Sequence, residues 1–214
     1  MAADGLPQTP RFFRTRVDSP AALRAGLARF FLQERCMPIP QFPDPGRFTT
    51  YHITLTCYGT WLLGSPKGST RHGGVYIPPN DALEHYMRGR CKYPAVSFTE
   101  EMRRTVFNAI VAECKFNRWT LHALNTLAQH VHALITVPVG DSDRYAVSRF
   151  KSASLRALQT FGQVGDSPVW TKGGNSSEVK TVGYFRRVYN YILNSQPNGP
   201  LADLNGEANK EPAP

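Results

Sequence analysis

The chain has 214 residues, 41% of them hydrophobic, which suits one compact domain with extensions or at most two small domains. Lysine and arginine outnumber aspartate and glutamate by 25 to 16, and the resulting net charge of +9 favours a phosphate-bearing partner, although a generic basic surface would look the same. No apolar run approaches the ~20 residues of a membrane helix and no secretory signal is visible, so we expect a cytoplasmic protein with no membrane partner. The four cysteines lack zinc-ribbon spacing, so we expect reduced thiols.

The termini read as appendages to one domain. Residues 1–47 form an N-terminal extension, in which a helix is predicted between Pro20 and Cys36. The stretch Met37–Gly46 holds four prolines, which is typical of an extended linker. We expect the catalytic domain to span 48–196 and a disordered polar tail to span 197–214.

The first strand is predicted from Phe48 to Tyr58, where apolar and polar residues alternate with the period of a half-buried strand. A loop rich in glycine and proline follows over Gly59–Pro94, with a short helix at Asp81–Arg88. Loops of this length inside a compact domain are usually functional, and this one carries basic and aromatic residues.

The remaining pattern alternates helices and strands. Ser97–Glu100 is a capping-box sequence that predicts a helix as far as Asn117. Two β-rich runs follow, and the turn between them is short enough only for an antiparallel hairpin. The next helix is expected to bury Val147, Phe150, Leu158 and Phe161. The later elements are Trp119–Leu127 and His130–Val137 (hairpin), Asp143–Phe161 (helix), Pro168–Gly174 (short extended piece) and Val182–Ser195 (helix).

This order of elements predicts the fold class. A strand, a helix, a hairpin, a helix, a short strand and a final helix fit an α+β fold. Its antiparallel sheet would have helices packed mainly on one face, as in a ferredoxin-like sandwich.

The sharpest local motif is His130-Val131-His132. Residues two apart on a strand point to the same face, so both imidazoles can converge on one ion. Neutral imidazole binds many divalent cations, although Mg2+ usually prefers oxygen ligands. A pair of strand histidines without any metal would give the same sequence.

Three other histidine chemistries can be compared with the sequence. A histidine-triad hydrolase needs a third histidine where this chain has Leu134, and a cupin needs an all-β chain with an acidic ligand. A two-histidine phosphoesterase needs two His-x-Ser/Thr motifs. His52-Ile53-Thr54 supplies one, whereas the second would carry His132 in place of serine or threonine. An RNA 2′,3′-cyclic phosphodiesterase that uses His52 and His130 as acid and base therefore stays an alternative.

The last helix carries three tyrosines beside Arg186 and Arg187. A phenol with a pKa of about 10 is a poor nucleophile, so it needs an activated phosphate and nearby positive charge. Tyr184 and Tyr191 are seven residues apart and share a face, whereas Tyr189 lies on another. We expect Tyr184 and Tyr189 to be packing residues.

Four motifs together resemble the single-tyrosine HUH transposases, and most closely the REP-associated tyrosine transposases. They are the Y-G-T-W-L-x-G sequence at Tyr58–Gly64, the His-x-His strand, the W-x-x-G-G turn at Trp170–Gly174, and the Tyr-Ile-Leu-Asn-Ser-Gln sequence at Tyr191–Gln196. The resemblance spans about Tyr51 to Gln196 and implies the HUH endonuclease sandwich.

The resemblance also implies a mechanism. His130 and His132 would bind Mg2+ or Mn2+ together with Gln196, although Asn194 and Ser195 are alternatives for the third ligand. Tyr191 would attack a phosphate, producing a 5′-phosphotyrosine linkage and a free 3′-OH that can later reverse the reaction. The enzyme would thus nick and rejoin single-stranded DNA.

The implied partner is single-stranded DNA folded into hairpins, such as repetitive extragenic palindromes, which would place the protein on the nucleoid. Family members occur as monomers and dimers, so a homodimer and a tyrosine acting in trans both stay open. A former transposase that binds hairpins without cutting them is a further alternative. Candidate DNA contacts are Arg186 and Arg187 beside the tyrosine, Lys151 and Arg156 on the preceding helix, and Trp61 and Lys67 in the long loop.

Overall fold

The computed structural model describes residues 41–70 and 74–196. The predicted N-terminal helix, most of the extension and the C-terminal tail lie outside the described residues. Within the described ranges, no helix has the length and apolar character needed to cross a membrane.

The described residues form six strands and four helices, and the strands lie in two separate sheets. They are β1 (Phe48–Thr56), β2 (Ser69–Thr70), β3 (Tyr76–Ile77), β4 (Thr120–Thr126), β5 (His130–Pro138) and β6 (Asn175–Glu178). The main sheet has the order β4-β5-β1-β6, and all its neighbours are antiparallel. In the described part of the chain, the short strands β2 and β3 pair with each other inside the long loop.

Four helices accompany the sheets: α1 (Asp81–Gly89), α2 (Glu100–Asn117), α3 (Asp143–Thr160) and α4 (Val182–Asn194). The helices α2, α3 and α4 begin at side-chain caps, in which the hydroxyls of Thr99, Ser142 and Thr181 accept hydrogen bonds from backbone N–H groups three residues ahead. Thr99 therefore caps α2, and the predicted capping residue Ser97 was wrong by two positions. The α+β class with an antiparallel sheet is confirmed.

The two faces of the main sheet bury different helices. Alternate residues of β1 and β5, among them Ile53 and Ile135, form one core with α2 and α3. On the opposite face, Leu134 packs against Phe185 and Ile192 of α4. Each of these two buried side chains stabilises the position of α4 by about 1.5–3 kcal/mol. Of the helices in residues 41–70 and 74–196, α4 is the one that packs on this face, so the residues beside it are separated from the core of α2 and α3.

Two sequence expectations were wrong near the end of α3. Phe161 is 70% exposed, because the helix ends at Thr160 and the next residue turns away from the core. The short strand lies at Asn175–Glu178 and not at Pro168–Gly174, within which an isolated bridge joins Trp170 to Cys57. The ammonium group of Lys151 donates hydrogen bonds to the carbonyls of Thr171 and Gly173. These bonds hold the segment before β6 against α3.

Gly64 fixes the long loop against α1. Its φ is +87°, its N–H donates to Ser69 Oγ at 3.2 Å, and its carbonyl accepts from the N–H of Asn80 at 2.9 Å. A Cβ at this position would overlap the carbonyl oxygen of Asn80 and approach the backbone nitrogen of Glu84 within 2.8 Å. Only glycine combines this backbone conformation with this close approach.

We therefore expect Gly64→Ala to lower the free energy of unfolding by about 3 kcal/mol, as measured by urea denaturation, because left-handed strain and steric overlap add. Gly74→Ala is the matched control, since Gly74 has a φ of +83° but nothing within 4 Å of an added Cβ. Gly74→Ala should lower the free energy of unfolding by about 1–2 kcal/mol. Equal losses in the two variants would contradict a tightly packed loop.

Candidate functional site

His130 and His132 lie on the sheet face that α4 covers. Both belong to β5, and their ring centroids are 4.8 Å apart with an interplanar angle of 81°. Val131 points to the opposite core, as the strand period requires. The structure thus places the two imidazoles side by side, within reach of a common ion.

His132 is held by two side chains of β1. Its Nδ1 lies 3.1 Å from Thr54 Oγ1 and 3.3 Å from His52 Nε2. The antiparallel register pairs Thr54 directly with His132, which explains why the contact forms. With Nδ1 engaged on one side, Nε2 of His132 is the nitrogen left to bind a ligand. The sequence identified His52 and Thr54 only as part of a rival motif.

Burial keeps this cluster neutral. Burial, with smaller contributions from the neighbouring His130 and His52, lowers the pKa of His132 to about 3. Burial also lowers the pKa of His130, with a smaller effect from the positive charge of Lys67, and burial lowers the pKa of His52. At neutral pH all three rings therefore have a free nitrogen lone pair, which is the form that binds metal ions.

Tyr191 lies beside the same cluster. Its ring centroid is 5.3 Å from that of His132 and 6.4 Å from that of His52, and both contacts are edge-to-face. The side chain is 43% exposed, so a large substrate can reach it from solvent. The tyrosine ring of α4 therefore lies beside the histidine rings of β1 and β5.

The other two tyrosines of α4 have different surroundings. Tyr189 is buried and its ring stacks on that of Phe185. Tyr184 is half-buried, and the guanidinium of Arg187 lies over its ring at 5.7 Å. Arg186 and Arg187 are exposed on the helix that carries Tyr191.

Asn125 ties α4 to the sheet next to Tyr191. Its buried amide Nδ2 donates to the carbonyl of Ile192 at 3.1 Å. Asn125 is also the register partner of His132 across β4 and β5. One buried amide therefore links the strand beside the histidines to the backbone beside the tyrosine. This role could not be predicted from the sequence, because a single asparagine in a strand has many explanations.

The other predicted site residues are dispersed. Gln196 is half-buried in the turn after α4, where it is the last described residue. Trp61 is 53% exposed, and Lys67 is exposed near His130. Arg156 is exposed on α3, on the opposite side of the sheet from the histidines. Lys151 lies on the same helix and binds carbonyls of its own chain.

The residues of the cluster fit a divalent cation in part. Across residues 41–70 and 74–196, no group of three or more histidine, cysteine, aspartate or glutamate side chains could hold a metal ion. Two neutral imidazoles on one strand nevertheless supply a pair of nitrogen donors. Further ligands would have to be amide or water oxygens, and Gln196, two residues after the end of α4, carries an amide.

The family model described as "Transposase IS200 like" matches residues 85–195, a range that includes His130, His132 and Tyr191. The chain is similar to a solved structure described as a REP-associated tyrosine transposase bound to a REP hairpin, with 13% identity, 72% of this chain and 68% of that chain covered, and a TM-score of 0.40. It is also similar to a crystal structure from Deinococcus radiodurans R1 described as a transposase, with 12% identity, coverage of 72% and 95%, and a TM-score of 0.43. No curated protein matches the chain.

Proposed function

Since the chain belongs to the IS200-like transposase family, we propose that it nicks and rejoins single-stranded DNA at hairpin-forming sites through a 5′-phosphotyrosine intermediate. The observation that carries this proposal is the placement of the half-exposed Tyr191 ring 5.3 Å from that of His132. The Tyr191 phenol and the neutral imidazoles lie on one face of the sheet, and the helix that carries Tyr191 also carries the exposed Arg186 and Arg187. These are the components that phosphoryl transfer to a tyrosine requires.

In this proposal His130 and His132 hold Mg2+ or Mn2+, with Gln196 as a third ligand. The bound ion would polarise the scissile phosphate and stabilise negative charge on it. Thr54 and His52 contact Nδ1 of His132, which leaves Nε2 as the nitrogen that would bind the ion.

The chain itself performs the nucleophilic step. The Tyr191 oxygen forms a bond to phosphorus, the bond from phosphorus to the 3′ oxygen breaks, and the phenolic proton passes to water while the 3′ oxygen gains a proton. Arg186 and Arg187, on the same helix, supply positive charge for the phosphates that flank the reacting group. Lys67 adds charge on the His130 side, and Trp61 offers a ring for an unpaired base.

One experiment tests this function against its alternatives. The protein is incubated with Mn2+ and a labelled single-stranded DNA hairpin, and an SDS-resistant protein–DNA species is expected that disappears with EDTA. Metal-independent hydrolysis of an RNA 2′,3′-cyclic phosphate would instead support a two-histidine phosphoesterase. Tight hairpin binding without an adduct in any metal would support a binding module that no longer cuts.

Thr54 offers a finer test of the metal site. Thr54→Val keeps the shape of the side chain but removes the hydroxyl beside His132 Nδ1. We expect the affinity for Mn2+, measured by electron paramagnetic resonance, to fall about 10-fold or more, because ligands lose affinity when their outer hydrogen bond is removed. Thr54→Ser keeps the hydroxyl and should retain most of the affinity. The idea fails if valine and serine bind Mn2+ equally well.

A further inference from the structure

A basic and aromatic surface lies in the last part of the long loop, on residues that contact Tyr58, two positions after β1. The stretch from His85 to Tyr93 contains three lysine or arginine residues and no aspartate or glutamate. The stretch starts within α1, a helix that has no buried residue. Arg88 is paired with Glu84. We define the 86–93 surface by four exposed aromatic or basic residues outside this pair, which are Tyr86, Arg90, Lys92 and Tyr93.

The aromatic rings of this surface are open to solvent. Tyr86 is 57% exposed and Tyr93 is 43% exposed. The guanidinium of Arg90 lies over the Tyr86 ring at 5.7 Å and donates a hydrogen bond to the Tyr86 hydroxyl at 2.9 Å. Rings that alternate with positive charges are the pattern that binds unpaired nucleotides, because bases stack on the rings while phosphates contact the charges.

Two contacts with Tyr58 fix the surface beside the end of β1, where Thr56 pairs with His130. The hydroxyl of Tyr58 accepts a hydrogen bond from the backbone N–H of Lys92 at 3.1 Å, and its ring meets the Tyr93 ring edge-on at 6.2 Å. The residue before Tyr58, Cys57, donates its N–H to the carbonyl of Gln129, which precedes His130. A preorganised surface loses less entropy when it binds a flexible strand.

We infer that the 86–93 surface binds the unpaired DNA strand that flanks the hairpin, through base stacking on Tyr86 and Tyr93 and phosphate contacts to Arg90 and Lys92. This inference rests on the proposed function, since it assigns part of the same substrate. The positive charge of the surface complements a nucleic-acid backbone, and Tyr58 joins the surface to the segment that is hydrogen-bonded to Gln129, the residue before His130. Neither Arg90 nor Lys92 has a carboxylate partner among the ion pairs of the described residues.

The test compares hairpins with and without single-stranded extensions. Fluorescence anisotropy is measured with labelled DNA hairpins that are blunt or carry an extension on the 5′ side, the 3′ side or both. Tyr86→Ala combined with Tyr93→Ala should weaken binding of one or both extended hairpins about 100-fold, while the affinity for the blunt hairpin stays unchanged. Arg90→Gln with Lys92→Gln should also make the affinity for the extended hairpin less dependent on salt concentration.

Matched variants separate stacking from folding. Tyr86→Phe with Tyr93→Phe keeps both rings and should bind like the wild type, and Lys115→Gln removes an exposed charge on α2, away from the surface. Equal loss for blunt and extended hairpins, or no loss for either, would overturn the inference. If the wild-type protein forms no covalent adduct but the double alanine variant still loses affinity only for extended hairpins, the proposed function fails and this inference stands.

Discussion

Tyr191→Phe is expected to eliminate the covalent protein–DNA adduct, with strand cleavage reduced by about 10⁴-fold or more, because the substitution removes the attacking oxygen and nothing else. The Tyr191 ring lies against His132 and His52 and is 43% exposed, so phenylalanine should keep these ring contacts with little cost in stability. The measurement is gel separation of labelled DNA after incubation with Mn2+ and denaturation in SDS. Affinity for the uncut hairpin should change by less than about twofold.

Tyr184→Phe is the matched control for this result. Tyr184 lies on the same helix, seven residues earlier, and its ring lies below the guanidinium of Arg187. It should form the adduct at the wild-type rate. An adduct that persists in Tyr191→Phe but disappears in Tyr184→Phe would move the nucleophile to the first turn of α4. That outcome would contradict the site proposed around His132.

The sequence predicted the elements that local pattern determines. The alternation in β1, the His-x-His strand and the helical spacing of α4 each predicted the element that carries the corresponding site residue. The strand near Trp170 was misplaced because its position depends on Lys151, a residue 20 positions away that binds the carbonyl of Thr171. Such long-range contacts have no local pattern from which they could be predicted.

The missed parts of the site have the same cause. Thr54 meets His132, and Asn125 lies opposite it, only because β1 and β4 flank β5 in one particular register. A shift of one residue in either pairing would turn these side chains to the other face of the sheet. The sequence showed which residues could bind a metal ion or attack a phosphate, whereas the register determined which residues support them.

The second large effect is expected from His132→Ala. The imidazole of His132 lies between His130, Thr54, His52 and Tyr191, so its removal takes away one proposed ligand and the group that the β1 side chains position. We expect the affinity for Mn2+ to fall by at least about 100-fold, and adduct formation to disappear at metal concentrations that saturate the wild type. Isothermal titration with Mn2+ and the adduct gel measure the two effects separately.

His122→Ala provides the control for loss of a buried histidine. His122 lies on the same sheet face, hydrogen-bonded to Thr136 and packed edge-on against Phe185, and burial lowers its pKa to about 4. Its removal should lower the melting temperature, because it leaves a cavity beside α4, yet preserve Mn2+ binding at temperatures where the variant is folded. Equal losses of Mn2+ affinity in the two variants would mean that packing of this face, and not ligation by His132, determines the affinity for Mn2+.

Mixing the Tyr191→Phe and His132→Ala proteins should not restore the adduct, because Tyr191 and His132 are neighbours within one chain. Restoration would require that the helix carrying Tyr191 be exchanged between two copies.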